Sequence, residues 1–415
     1  MGGYVIIGGG VAGVSCVEGI RSTDPTGSIT LASAEANSNY GRPLISYLLE
    51  GVTDPARMSY RGEDFYERMG VTALHGVSAS VIDARAKTVT LSDGRVLDYD
   101  ALCVATGSSP FVPPLEGLET VPRRFTFMTL ADAMALGEEV REDTRVLVVG
   151  GGLIGLKCAE GLRATTRRIT VCDLAPHVLS SILVPDASKL VERHLESEGI
   201  TLMLGRSVQR FEGTRADMTD GSVVDFDVLV LAIGVRPNVS LVAGAGGATR
   251  RGIVVDERMQ TTLEGVFAAG DCVESHNLVT GADGPIAILP NASMQGWAAG
   301  VNMAGGNEHV EDSIPMNSMG ILGLHIMTAG SYTDEQSGGR TILHASDSAY
   351  RQFFMKDGML SGFILVGDVS RAGIYTALIR ERRELGPIES EELWEKPSLI
   401  ALGRSWREQR LGGVV

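Results

Sequence analysis

The chain opens on an apolar strand, Tyr4 to Ile7, that runs into Gly8, Gly10 and Gly13 and then into a helical repeat of Val14, Val17 and Ile20. The next apolar run, "SITLASAE", predicts a second strand ending at Glu35. The same succession returns mid-chain in "RVLVVGGGLIGLKCAEGLR": a strand over 145–149, then Gly150, Gly152 and Gly155, then a helix through Leu162. "RRITVCDLAPHVL" follows, a strand ending at Asp173. In a strand–turn–helix unit with G-x-G-x-x-G spacing, the first glycine allows the tight turn and the second lets the backbone approach a pyrophosphate. The third lets the helix pack closely on the strand. The phosphates then meet the helix N-terminus. An acid closing the second strand can take ribose hydroxyls, so the pattern describes two dinucleotide sites. Asp173 repels a 2′-phosphate, and Leu174, Ala175 and Pro176 offer no cation, so the second site favours NADH over NADPH.

Further apolar strands end at Ala105-Thr106-Gly107, at Gly234 and at Gly270-Asp271. Residues 287–305 form a helical stretch whose start is marked by Pro290 and Asn291. The alternating "YRQFFMK-DG-MLSGFILVGD" predicts a hairpin, followed by a helix at 371–382. A length of 415 residues asks for two or three domains, and 44% hydrophobic against 21% charged residues lets each bury a core. A net charge of −15 with no Lys/Arg run argues against a nucleic-acid partner. Five cysteines without CxxC or CxxxxC spacing give no disulfide framework, dithiol centre or iron–sulfur site, and the seven scattered histidines make no metal-like spacing. No signal peptide is visible, and no apolar run reaches the roughly 20 residues that span a bilayer. The expectation is a soluble, cytoplasmic, reduced protein with no membrane or metal association.

The paired fingerprints, the "ATG" of 105–107 and the "GD" of 270–271 resemble the FAD-dependent pyridine-nucleotide oxidoreductases, the glutathione-reductase-like flavoproteins, over nearly the whole chain. The resemblance implies an α/β fold of two Rossmann-like dinucleotide-binding domains plus a C-terminal α+β interface domain. The FAD-binding domain would be discontinuous, 1–111 and 238–308, with an NAD(H)-binding domain at 112–237 inserted and the interface domain at 309–415. FAD would be held by Gly8, Gly10, Gly13, Glu35, Arg42, Val77, Ala105, Thr106, Gly107, Gly270, Asp271, Pro290 and Asn291. NAD(H) would be held by Gly150, Gly152, Gly155, Asp173 and Gly234. Asp271 would bond the ribityl chain and pyrophosphate edge. The helix begun at Pro290 would aim its positive end at the flavin pyrimidine ring. On that helix Trp297 is either a plain core residue or a flavin neighbour, and His325 farther on is either a satisfied core histidine or another.

Branches of the family differ at "YGRPLISYLLEG", residues 40–51. Disulfide reductases carry a cysteine pair there and NADH peroxidases and oxidases a single cysteine. Rubredoxin- and ferredoxin-reductase-like members have a basic residue, Pro and an apolar helix, which is the pattern here. Arg42 and Pro43 would then lie beside the flavin ring. At an effective dielectric of about 20, a cation ~4 Å away is worth roughly 4 kcal/mol, about 80 mV for a two-electron couple before screening. Lys157 stands where the family commonly has a carboxylate reaching towards nicotinamide and flavin. It either acts on the flavin, pairs with an acid of another segment, or is structural. The segment also resembles NADH-linked flavoprotein subunits that accompany anaerobic iron–sulfur enzymes, such as 2-oxoacid (phenylglyoxylate-type) and carbon monoxide dehydrogenases. The activity implied is hydride exchange between NAD(H) and FAD, with electrons passed to or from a ferredoxin- or rubredoxin-type protein. The interface domain would make a homodimer or a hetero-oligomer. Two alternatives stay open: an NADH oxidase that reduces oxygen directly, and a low-turnover NADH-responsive flavoprotein acting through protein association.

Overall fold

Near-continuous apolar strands, buried on both faces, build a parallel sheet, because neither face then meets water. The computed structural model describes residues 3–37, 39–310, 312–332, 340–385 and 394. The chain falls into two compact units. The first comprises Met1–Cys172, Ser207–Asn277 and Gly281–Ser313, and the second Asp173–Arg206, Leu278–Thr280 and Ile314–Val415.

Within the first unit, Gly3–Ile7 pairs in parallel with Ile29–Ser33 on one side and Val96–Val104 on the other. Val71–His75 extends the sheet beyond Ile29–Ser33, and Val266–Ala268 also pairs in parallel with Val96–Val104. The segments Thr88–Leu91 and Ala79–Asp83 close the far edge as antiparallel strands. Helix α1 (Val11–Thr23) follows the first strand. A six-residue helix α2 (Ile45–Glu50) follows a 3₁₀ turn, Arg42–Leu44. Next come α3 (Leu130–Glu139) and α4 (Leu153–Leu162), and finally α5 (Leu289–Met303). Helices α1 and α5 touch backbone to backbone: a Cβ on Gly296 or on Gly300 would sit 2.1 Å from the Ala12 or Cys16 carbonyl oxygen.

The same unit holds a second parallel sheet, in which Ile169–Asp173, Val146–Val149, Val228–Leu231 and Arg124–Thr126 are successive neighbours. The two crossings between the sheets, Ser108–Pro110 and Val235–Pro237, pair antiparallel, and Arg236 lies 3.8 Å above the Phe111 ring. The two parallel sheets and their helices are the α/β fold expected of paired dinucleotide units.

The second unit is built on an antiparallel sheet ordered Met316–Ile321, Leu324–Gly330, Met359–Val366, Tyr350–Lys356, Arg340–Ala345. Its central hairpin turns at Asp357 and Gly358, both with positive φ (52° and 73°), as a two-residue primed turn requires. The helix Ala372–Glu381 lays Tyr375 against Phe353 and Phe363, and Trp394 stacks on Phe353 at 4.5 Å. Apart from Trp394, everything expected of the interface domain beyond residue 385 lies outside the described residues. His325 is exposed on its strand, which removes the core-histidine reading. Among the described residues no helix is long and apolar enough to cross a membrane.

Candidate functional site

The two glycine turns have the same geometry. Gly8 and Gly150 take φ of 120° and 122°, closed to side chains, and a Cβ on either would lie 2.0 or 2.2 Å from the carbonyl oxygen of Ala105 or Ala232. At Gly13 and Gly155 a Cβ would lie 1.9 Å from the Gly8 or Gly150 carbonyl oxygen, so α1 and α4 dock only because nothing is there. Gly10 and Gly152 differ: a Cβ on either meets nothing within 4 Å. Both are the N-cap of their helix and neither offers a side chain to its first N–H groups. Each helix thus presents unsatisfied donors to an open floor, which fits a pyrophosphate.

Above the first turn lies a cleft of about 460 Å³. Gly8, Gly10, Glu35, Arg42, Ala105, Thr106, Gly107, Gly270 and Asp271 all line it. Pro290 and Asn291 start α5 through neighbours that line it, Leu289 and Ala292, while the Asn291 amide itself donates to the Ile286 carbonyl. Val77 is turned to the sheet, its N–H donating to Ser33, and Ser78, Ala79 and Ser80 face the cleft instead. Pro43 fixes the first residues of the Arg42–Leu44 turn. Gly234 takes a positive φ (130°), and a Cβ there would meet nothing within 4 Å. Asp173 ends its strand, and its carboxylate accepts the Ala175 N–H at 2.8 Å.

A network that sequence did not signal crosses this cleft. Glu35 accepts Arg42 Nη2 on one oxygen and the Tyr40 hydroxyl on the other, both at 2.6 Å. Arg42 Nη1 donates to the Met128 carbonyl at 2.6 Å, and the Leu130 N–H donates to the Tyr40 hydroxyl at 3.0 Å. Each carboxylate oxygen keeps a second lone pair, so Glu35 still has capacity for a ribose hydroxyl. Burial pushes the Tyr40 phenol far above its usual range. Burial opposes the charge on Arg42, but Tyr40, Glu35 and Asp271 outweigh it and hold the guanidinium charged. Asn39, with φ of 68°, and Met128 also line the cleft. An Asn before an aromatic in a polar loop was the only hint of that left-handed turn.

Burial holds the Asp271 carboxyl above its usual range, against the pull of the Arg42 cation. A carboxylate whose folded pKa is raised costs stability at neutral pH, and the cost fades as pH falls through that pKa. Asp271→Asn is therefore expected to raise the melting temperature of flavin-free protein by roughly 1–3 °C at neutral pH. The gap should close on acidification, and flavin should bind less tightly. Melts of both proteins across pH check this; a gap that widens on acidification contradicts it.

Lys157 is ion-paired with Glu160, one turn on in its own helix, and lies 4.8 Å over the ring of Tyr47 in α2. Helix α4 can approach α2 because Gly161 faces the Ser46 carbonyl, 2.6 Å from where a Cβ would be. All five cysteines are buried thiols; burial pushes Cys272 up to about 11 and Cys158 higher still. Trp297 is 39% exposed, so it is not a core residue, and its backbone carbonyl faces Gly19 of α1. No group of three or more potential metal ligands occurs among the described residues.

Comparison with known proteins agrees with this geometry. The family model described as pyridine nucleotide-disulphide oxidoreductase matches residues 3–296, and that of the rubredoxin NAD+ reductase C-terminal domain matches 315–383. The epsilon subunit of NADH-dependent phenylglyoxylate dehydrogenase from Aromatoleum evansii is 31% identical over 98% of this chain and 97% of its own. The assimilatory nitrate reductase electron transfer subunit of Bacillus subtilis is 30% identical over 91% of this chain but 49% of its own length, so this chain spans about half of it. Among solved structures, the covalent putidaredoxin reductase–putidaredoxin complex matches with a TM-score of 0.86 at 26% identity, over 95% of each chain.

Proposed function

The chain belongs to the pyridine nucleotide-disulphide oxidoreductase family, and from that membership we propose an NAD(H)-dependent FAD oxidoreductase that exchanges electrons with a ferredoxin- or rubredoxin-type iron–sulfur protein. The observation that carries it is the pair of open-floored glycine cradles beside an Arg-Pro turn, with every cysteine buried. Bound FAD supplies both the two-electron exchange with NAD(H) and the one-electron steps an iron–sulfur partner requires. The protein's part is to bind, align and set charge. The first cradle, Glu35, Arg42 and Asp271 hold the flavin nucleotide, and the second cradle and Asp173 hold NADH. With no accessible thiol to relay them, electrons leave without a disulfide step.

The layout that goes with this reading is an FAD domain at 1–111 and 238–308, an NAD(H) domain at 112–237 and an interface domain from 309. The likeness to a phenylglyoxylate dehydrogenase subunit supports membership of a larger redox complex; this reading puts that complex in the cytoplasm and joins it through the C-terminal domain. In this reading the Lys157 ammonium, on α4 and over the Tyr47 ring, favours the reduced cofactor. Lys157→Met is expected to lower the flavin midpoint potential by on the order of 20 mV with the NADH KM little changed. An unchanged potential with a lower melting temperature would make Lys157 structural.

The test of the activity is NADH-driven reduction of an added ferredoxin set against oxygen consumption. Ferredoxin reduction should outpace oxygen uptake. Faster peroxide or water formation would replace this reading with an NADH oxidase. A long-lived NADH complex that passes electrons to neither acceptor would replace it with an association role.

A further inference from the structure

We propose that Tyr40 is a positioning residue that sets the second dinucleotide module against the ribose carboxylate of the first. Its hydroxyl bonds both: it donates to Glu35 at 2.6 Å and accepts from the Leu130 N–H at 3.0 Å. Arg42 makes the parallel link from Glu35 to the Met128 carbonyl. Both bridges land on a turn that cannot yield independently. Asp132 accepts from the Met128 and Thr129 N–H groups and from the Thr126 hydroxyl, while the Thr129 hydroxyl accepts the Asp132 N–H. On one side of that turn Arg124–Thr126 is a strand of the second sheet, paired with Val228–Leu231; on the other α3 begins. Glu35 is therefore joined to the second sheet by two hydrogen-bonded routes.

The consequence is directional. A ribose on Glu35 orders a carboxylate already shared with Tyr40 and Arg42, and that order is delivered at residues 126–132. Tyr40 is 8% exposed and its ring also lies under the Arg42 guanidinium at 5.8 Å, so removing the hydroxyl alone leaves the ring packing in place. The inference rests on the first cleft being the flavin nucleotide site.

Hydrogen exchange of the full chain, with and without FAD, tests it in wild type and Tyr40→Phe. In wild type, FAD should slow exchange at the first cradle, near residues 8–14, and also at 126–132, by about 10-fold. In Tyr40→Phe the first cradle should still respond to FAD while 126–132 exchanges fast in both states. The NADH KM of the flavin-loaded variant should rise about 3- to 10-fold with kcat little changed. A merely structural tyrosine would instead speed exchange broadly and leave the response of 126–132 to FAD intact, and that result overturns the proposal. No response to FAD anywhere in wild type would sink the flavin-site reading itself, a distinct failure.

Discussion

Gly152→Asp is expected to leave flavin bound while slowing its reduction by NADH at least about 100-fold, and Gly10→Asp to purify without flavin. Both positions have extended backbone that any residue adopts (φ −85°, ψ −173° and φ −77°, ψ −172°), and a Cβ at either touches nothing. Aspartate is a good N-cap and suits the positive end of a helix, so the fold should hold or gain slightly. The new carboxylate takes the N–H groups a pyrophosphate needs and repels it. Losing two or three charge-assisted hydrogen bonds costs roughly 3–5 kcal/mol, or about 10²- to 4 × 10³-fold in affinity. Flavin content after purification and single-turnover reduction read the two cradles separately. Wild-type reduction of Gly152→Asp would mean that NADH does not use the second cradle.

Arg42→Met should destabilise the protein by roughly 2–3 kcal/mol and, by releasing Glu35 and removing a cation from the cleft, weaken FAD binding by at least about 10-fold. The guanidinium makes two 2.6 Å bonds, to Glu35 and to Met128, and its charge opposes the cost of burying Asp271. Its side chain is 36% exposed and that of Glu35 31%, so solvent screens part of the pair. What remains is the loss of two charge-assisted bonds, roughly 2–3 kcal/mol. Arg42→Lys should recover only part, because an ammonium lacks the planar fork that serves a carboxylate and a carbonyl together. Equilibrium titration of flavin-stripped protein measures both; unchanged affinity in Arg42→Met would remove Arg42 from the site.

Much of this architecture was legible because glycine spacing is a backbone constraint. A fingerprint read at Gly8, Gly10 and Gly13 carries its own geometry, and the structure adds only the distances. The hairpin at Asp357-Gly358 was legible for the same reason, since two left-handed residues need that kind of sequence. What stayed hidden depends on distant contacts. Glu35 reads as a lone ribose acceptor, yet a chain reversal within seven residues returns Tyr40 and Arg42 to its two oxygens. The partners of that strap, Met128 and Leu130, lie some 90 residues on, where periodicity is silent. Lys157 showed its departure from the family pattern but not its partners, since Glu160 and Tyr47 are set by how α2 packs on α4. For Trp297 the sequence left core residue and flavin neighbour both open; the residue is 39% exposed, with its backbone carbonyl 2.3 Å from where a Cβ on Gly19 would be.

The central claim is that NADH on the second cradle reduces a flavin on the first, and that this flavin passes electrons to an iron–sulfur protein without a thiol. Anaerobic rapid mixing of flavin-loaded protein with NADH, followed at the flavin absorbance, tests it most directly. The account predicts fast bleaching, with colour restored when oxidised ferredoxin is added. Absence of bleaching with both NADH and NADPH would contradict it.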